Sequence, residues 1–261
     1  FHMGDIPLSL NVGHQESYLA SKAGGARGAA SYSFNDMDWE DVNVPHDWSV
    51  YTDFDKENML SQGYKKRGIG WYRKTFYLDK ELDGKQLLLV FEGVSTACTV
   101  YFNGSVAGRN YSGYTEFTVD ISDRAYFGTK LNVISVRVDA DAFEGWWYEG
   151  AGIYRHVNLI VKEPLHIAHN GIFAKPSHEG GGRWKISAAV EVENSAYENS
   201  EFELINTIVY DGKEICSQKS SDFIAGDSIK TLEQELFLQD PLLWDLDNPN
   251  LYTLESRLYV N

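Results

Sequence analysis

The sequence predicts an all-β chain made of two consecutive β-sandwiches, and three observations carry that reading. Apolar and polar residues alternate over segment after segment, while no stretch sustains a helical period. Turn pairs such as Asn103-Gly104 and Asp211-Gly212 end those segments with residues that tolerate positive φ. The texture also changes at Pro164: long loops separate the strands before it, and short turns separate evenly spaced strands after it.

At 261 residues, with 43% hydrophobic and 23% charged side chains, the chain is globular and has room for two ordinary domains. A net charge of −15 would repel phosphate backbones and anionic lipid surfaces, so neither nucleic acid nor a membrane is expected as a partner. No apolar run approaches the roughly 18 residues of a membrane span. The 14% of aromatic residues suits strand cores and stacking on sugar rings alike. Cys98 and Cys216 fall in different predicted domains, so both are expected to be free thiols, and stability rests on burial. The chain opens on strand-like FHMGDI without a signal peptide, read as a removed leader or a start inside a longer protein.

Taken in order, residues 11–30 are rich in Ser, Gly and Ala without hydrophobic periodicity and read as a long surface excursion. Residues 42–45 read as a short strand stopped by Pro45. His46 and Asp47 follow. With no serine or cysteine nucleophile signature beside them, capping and packing are the roles expected. Residues 53–70 form a second long polar loop, residues 71–76 resume alternation, and 86–93 is the nearly continuous apolar run of a strand covered on both faces. Cys98, Val100 and Phe102 alternate before the turn at Asn103-Gly104. Strands at 117–121, 131–138 and 153–161 complete a many-stranded unit with long loops, the pattern of a jelly-roll sandwich over residues 1–163. Past Pro164, Trp184, Ile186, Ala188, Val190 and Val192 alternate with polar neighbours. Residues 202–210 turn at Asp211-Gly212 into 213–218, and strands at 232–238 and 251–260 follow. The glycines at 180–182 mark a hairpin or loop inside this unit, which reads as an immunoglobulin-like sandwich over residues 164–261.

The stretch 143–161 concentrates the costliest side chains. Phe143, Trp146, Trp147 and Tyr148 accompany Glu144 and Glu149; Gly150 and Gly152 then permit backbone angles that other residues resist, and a strand starts at Ile153. Rigid scaffolds present binding loops in this way. Glu144, Trp146, Trp147, Tyr148 and Glu149 are therefore the candidate substrate-binding rim, set against the blander reading in which the tryptophans cap a core. Retaining sugar hydrolysis needs two carboxyls about 5 Å apart, normally from separate rigid elements. Glu144 and Glu149 share one loop, so no catalytic residue is assigned. His166 and His169, three apart on a strand, would face opposite sides and are read as surface histidines rather than metal ligands. With no glycine-rich phosphate loop, metal-type cysteine pair or nucleophile elbow, neither a metal nor a cofactor is expected.

Several ordered phrases carry a resemblance: Val44-Pro45-His46-Asp47-Trp48, Gly70-Trp71-Tyr72-Arg73-Lys74-Thr75-Phe76, and Phe91-Glu92-Gly93-Val94 with Val100-Tyr101-Phe102-Asn103-Gly104. Gly113-Tyr114-Thr115-Glu116-Phe117, Asn132 with Val136-Arg137-Val138-Asp139, Gly150-Ala151-Gly152-Ile153-Tyr154-Arg155, and Leu243-Trp244 through Pro249-Asn250-Leu251-Tyr252 continue them. In this order, over nearly the whole chain, they resemble the amino-terminal half of glycoside hydrolase family 2, the β-galactosidase, β-glucuronidase and β-mannosidase group. The resemblance implies a galactose-binding-like jelly roll and an immunoglobulin-like domain, with both catalytic glutamates supplied by a (β/α)8 barrel that follows them. It implies a non-catalytic part of a larger hydrolase, inactive alone, acting on a β-linked glycoside in carbohydrate metabolism. Loops 53–68 and 143–149 would then shape the sugar pocket, and the family's frequent export favours a periplasmic or secreted location. The rival from another class is a free-standing carbohydrate-binding module in which Trp146, Trp147 and Tyr148 stack on sugar rings; a purely structural or adhesive sandwich leaves the ordered phrases unexplained.

Overall fold

The computed structural model describes residues 1–6, 26–141 and 145–260. They form two compact units, Phe1–Val161 and Lys162–Asn261. The first contains β1 (His2–Met3), β2 (Ile69–Phe76), β3 (Gln86–Phe91), β4 (Ala97–Phe102), β5 (Ser105–Asn110), β6 (Phe117–Asp120), β7 (Asn132–Asp139) and β8 (Val157–Lys162). One sheet has the order β1-β2-β7-β4-β5 and the other β6-β3-β8, and the core lies between them. All six residues of β3 are buried, as its unbroken apolar run requires of a strand in the middle of its sheet. Leu87, Leu89 and Phe91 of β3 meet Val100 and Phe102 of β4 and Ile134, Val136 and Val138 of β7. Asn103 and Gly104 join β4 to β5 with φ of 49° and 83°, the left-handed pair a tight hairpin needs.

Three expectations for this unit are corrected. Residues 42–45 form no strand, because among the described residues no backbone ladder pairs with them. The strand expected from Ile153 begins at Val157 and is an edge strand, with Asn158, Leu159 and Val161 exposed. The segment before it is drawn inward by a bridge between Gly152 and Ser95. Of the predicted surface excursion at 11–30, residues 11–25 lie outside the described residues. The remainder is no excursion, because Ala29 and Ala30 are buried against Trp71 and Tyr101, and Arg73 donates to the carbonyl of Ala29 at 2.6 Å.

The second unit contains β9 (Leu165–Gly180), β10 (Arg183–Asn194), β11 (Ser200–Tyr210), β12 (Lys213–Ile224), β13 (Ser228–Gln239) and β14 (Thr253–Val260), in sheets ordered β13-β10-β9 and β12-β11-β14. The chain is thus all-β, two sandwiches in succession. Ile186, Ala188, Val190 and Val192 of β10 all point into the core, as their alternation predicts. Strand β9 is the element the pattern conceals: Pro176 and Gly171 interrupt it, and a register shift opposite Val190 and Val192 breaks its alternation. That strand also corrects the reading of His166, which is buried rather than on the surface. It pairs across the ladder with Glu193, whose carboxylate lies 3.4 Å from Nε2, while Nδ1 is 2.8 Å from the carbonyl of Glu163. His169 is half-buried. Cys98 and Cys216 are both free thiols.

Candidate functional site

The loops 53–68 and 145–149 meet at one end of the first sandwich. They are held by a buried polar clamp that begins with Arg67, just ahead of β2. Its guanidinium donates to the carbonyl of Ala140 at 2.5 Å, to Gln62 Oε1 at 2.7 Å and to Thr96 Oγ1 at 3.2 Å, and pairs with Glu149 Oε2 at 3.4 Å. Gln62, wholly buried on a short 3-10 turn, donates from Nε2 to the carbonyl of Gly145 at 3.2 Å and accepts the Glu149 N–H at 3.2 Å. Glu149 Oε1 accepts the Gly145 N–H at 2.8 Å and closes loop 145–149 on itself. Burial lowers the pKa of the Arg67 guanidinium and Glu149 opposes that shift. Each of these charges is tolerated out of water because the other sits beside it.

The neighbouring turn is built by Asp47. Its Oδ1 accepts the N–H of Ser49 at 2.9 Å and of Ala151 at 3.0 Å, and its Oδ2 accepts the Tyr148 hydroxyl at 3.0 Å. Burial pushes the Tyr148 phenol up to about 12, so at neutral pH it is a donor. Gly150 has φ of 73°, and a Cβ there would stand 2.4 Å from Asp47 Oδ2. At Gly152, φ is 122° and a Cβ would meet the Tyr72 hydroxyl at 2.4 Å. Both positions therefore need glycine for angle and for space. His46 turns inward to the Tyr72 hydroxyl at 2.8 Å, and burial lowers its pKa.

Above this clamp the aromatic side chains stand in the open. Trp146 is 90% exposed, Trp147 56% and Tyr148 41%. Trp147 is nevertheless oriented, because its Nε1–H donates to the Tyr114 hydroxyl at 2.6 Å, and that hydroxyl lies 3.5 Å from Glu149 Oε1. The structure thus brings Trp146, Trp147, Tyr148 and Glu149 together, and sets Glu149 apart in environment: its side chain is only 2% exposed and its carboxylate is engaged from beneath. Glu144 and Phe143 lie outside the described residues. Arg67, Gln62, Tyr114 and Asp47 complete the arrangement, and none of them stood out as a site residue in the sequence. Only the confinement of Gln62 and Arg67 to the loop 53–68 pointed their way. Among the described residues no group of three or more His, Cys, Asp or Glu is placed to hold a metal.

Comparison with known proteins gives this arrangement its context. Residues 46–148 match the family model described as glycosyl hydrolase 2 galactose-binding domain-like, and residues 165–261 match that of glycosyl hydrolases family 2. The chain belongs to glycoside hydrolase family 2. A curated relative in the family, beta-galactosidase BoGH2A of Bacteroides ovatus, is 33% identical over 237 residues, covering 89% of this chain and 28% of that protein. A beta-glucuronidase of Bacteroides fragilis is 27% identical over 84% of this chain and 32% of its own length. Among solved structures, a family 2 member from Bacteroides cellulosilyticus superposes with a TM-score of 0.82 at 29% identity, over 88% of this chain and 31% of that one. Bacteroides uniformis beta-glucuronidase 2, covalently bound to cyclophellitol-6-carboxylate aziridine, gives 0.80 at 26% identity, over 89% of this chain and 28% of that one. The chain spans about a third or less of the length of these family 2 relatives.

Proposed function

We propose that this chain is part of a β-glycosidase of the β-galactosidase and β-glucuronidase group, and that its first sandwich lends a rim to the sugar pocket of a catalytic (β/α)8 barrel in the longer protein. The observation that carries the reading is the exposure of Trp146 and Trp147 on a loop whose base is clamped by Arg67, Gln62 and Glu149. Burying an aromatic side chain is worth on the order of 2 kcal/mol, so a held loop that presents two tryptophans to solvent is built for a partner or a ligand. Trp146 and Trp147 supply apolar faces for a pyranose ring, Tyr148 and Glu144 supply hydrogen bonds to its hydroxyls, and Glu149 holds the loop in place from below. The carboxylate of Glu149, paired with Arg67, is unsuited to bond cleavage, and bond cleavage falls to the barrel.

The test is kinetic. In the full-length enzyme, Trp147→Ala or Trp146→Ala should reduce kcat/KM or raise KM for an aryl β-glycoside, while the stability of the present chain barely changes. The chain alone should hydrolyse none of nitrophenyl β-galactoside, β-glucuronide or β-mannoside. A chain destabilised by about 3 kcal/mol or more, with kinetics unchanged in the full-length variant, would make the tryptophans packing residues and sink the reading. Tight glycan binding by the isolated chain would favour an independent carbohydrate-binding module instead.

A further inference from the structure

Trp147 is more than half exposed, yet its indole is fixed at both ends. At the pyrrole end, Nε1–H donates to the Tyr114 hydroxyl at 2.6 Å. At the benzene end, the ring lies on the bare Cα of Gly145: a Cβ there would stand 2.3 Å from Cη2 and 2.5 Å from Cζ2 and Cζ3. The side chain missing at position 145 is therefore what lets the indole lie down on its own loop. Trp146, by contrast, has no side-chain hydrogen bond among the described residues and stands almost wholly in solvent.

Tyr114 comes from a third loop, between β5 and β6, outside the two loops expected to shape the pocket. That loop is itself anchored: the Tyr154 hydroxyl donates to the Gly113 carbonyl at 2.6 Å, and the Tyr114 N–H donates to Ser112 Oγ at 3.3 Å. An indole N–H can only donate, so the Tyr114 oxygen accepts it and leaves its own O–H to donate to Glu149 Oε1 at 3.5 Å. Gly145 is tied to the same carboxylate through its N–H, and its carbonyl accepts from Gln62 Nε2. Both supports of the indole thus lead back to the buried pair of Glu149 and Arg67. Trp147 has one polar atom and that atom is taken, so it offers a ligand a stacking face and no hydrogen bond.

We propose that Tyr114 and Gly145 are positioning residues, which together preset the Trp147 indole as a stacking face for a pyranose ring. The assignment rests on the reading of Trp147 as part of the sugar rim, and adds that its orientation is fixed before the sugar arrives. A side chain that must be immobilised on binding forfeits affinity, by about two- to tenfold for one with free rotamers, whereas a side chain already fixed does not. Losing either support should therefore weaken sugar binding through Trp147 alone. The fold itself should lose little. Tyr114 is half exposed, and the atoms displaced by a methyl at position 145 are the exposed far end of Trp147.

The experiment uses Tyr114→Phe, which keeps the ring and removes the hydroxyl, and Gly145→Ala, which pushes the indole aside. Each is made in the full-length enzyme alone and together with Trp147→Ala, and KM and kcat are measured for an aryl β-glycoside. Each alone should raise KM by about two- to tenfold with a smaller change in kcat. Neither should add to Trp147→Ala, because the group they position is then gone. In the present chain, isotopically labelled for NMR, the Trp147 indole N–H resonance is identified by its loss in Trp147→Ala. It should shift and exchange faster in both variants, while the urea midpoint stays where it was. An effect on KM that persists in the Trp147→Ala background would overturn the proposal, and so would an unchanged KM in both variants where Trp147→Ala raises it. A lowered urea midpoint with KM unchanged would make Tyr114 and Gly145 packing residues and overturn it too. If Trp147→Ala itself leaves KM and kcat/KM unchanged, the rim reading fails first and this proposal with it.

Discussion

Arg67 is the residue on which the rim depends, and it is one a sequence hides. In a polar loop next to Lys65 and Lys66 it looks like any solvated cation, yet its side chain is 7% exposed and its carboxylate partner is 82 residues away. Removing one member of a buried pair leaves the other charge without compensation, which costs far more than the pair contributes net. Arg67→Ala should therefore destabilise the first unit by about 3–5 kcal/mol, and adding Glu149→Gln should recover a substantial part of that by removing the stranded charge. Urea denaturation of the three variants measures this. If the double variant is no more stable than Arg67→Ala, the cost lies in the hydrogen bonds to Gln62, Thr96 and the Ala140 carbonyl rather than in the charge.

At the scale of elements, the hairpin between β4 and β5 joins local preference to long-range packing. Asn103 has the left-handed φ that the turn needs, and its side chain then accepts the N–H of Val133 at 2.8 Å and donates to the Arg124 carbonyl at 2.7 Å and to Asn132 Oδ1 at 2.9 Å. The turn was legible as Asn-Gly; the three contacts that make it a hub were not, because they depend on where β7 and the turn at Arg124 arrive. Asn103→Gly keeps the backbone angle and loses the side-chain bonds, whereas Asn103→Ala loses both. Chemical denaturation should find Asn103→Ala the more destabilised, by about 1 kcal/mol relative to Asn103→Gly, with both below the parent chain. Equal stability of the two variants would show that backbone strain has no part in the choice of asparagine. Residues 42–45 teach the converse. Their composition is strand-like, but a strand is defined by its neighbour, and none of the described residues pairs there.

For the molecule as a whole, each sandwich has a core of its own. Phe91 is buried in the first unit among β3, β4 and β7, and Phe202 in the second beside Leu204, Val190 and Val192. If the two units unfold separately, Phe202→Ala should lower one thermal transition, with a loss of about 3–5 kcal/mol, and leave the other in place, while Phe91→Ala does the reverse. A single transition shifted alike by either substitution in differential scanning calorimetry would show that they unfold as one.

The all-β architecture, the two sandwiches, the family phrases and the hairpin turns were all legible in the sequence. Each of these is written in short-range signals: alternation with a period of two, turn residues with positive φ, and runs of fixed order. The open aromatic residues of the rim were also visible there as a cluster of costly side chains. It was the packing of the sheets that placed Glu149 beneath the exposed aromatic loop in a buried pair, that had Tyr114 orient Trp147, and that buried His166 against Glu193. These depend on contacts between residues far apart in the chain. No local pattern encodes which distant carboxylate, hydroxyl or backbone edge a side chain will meet, because that is settled when the sheets pack and water leaves the space between them.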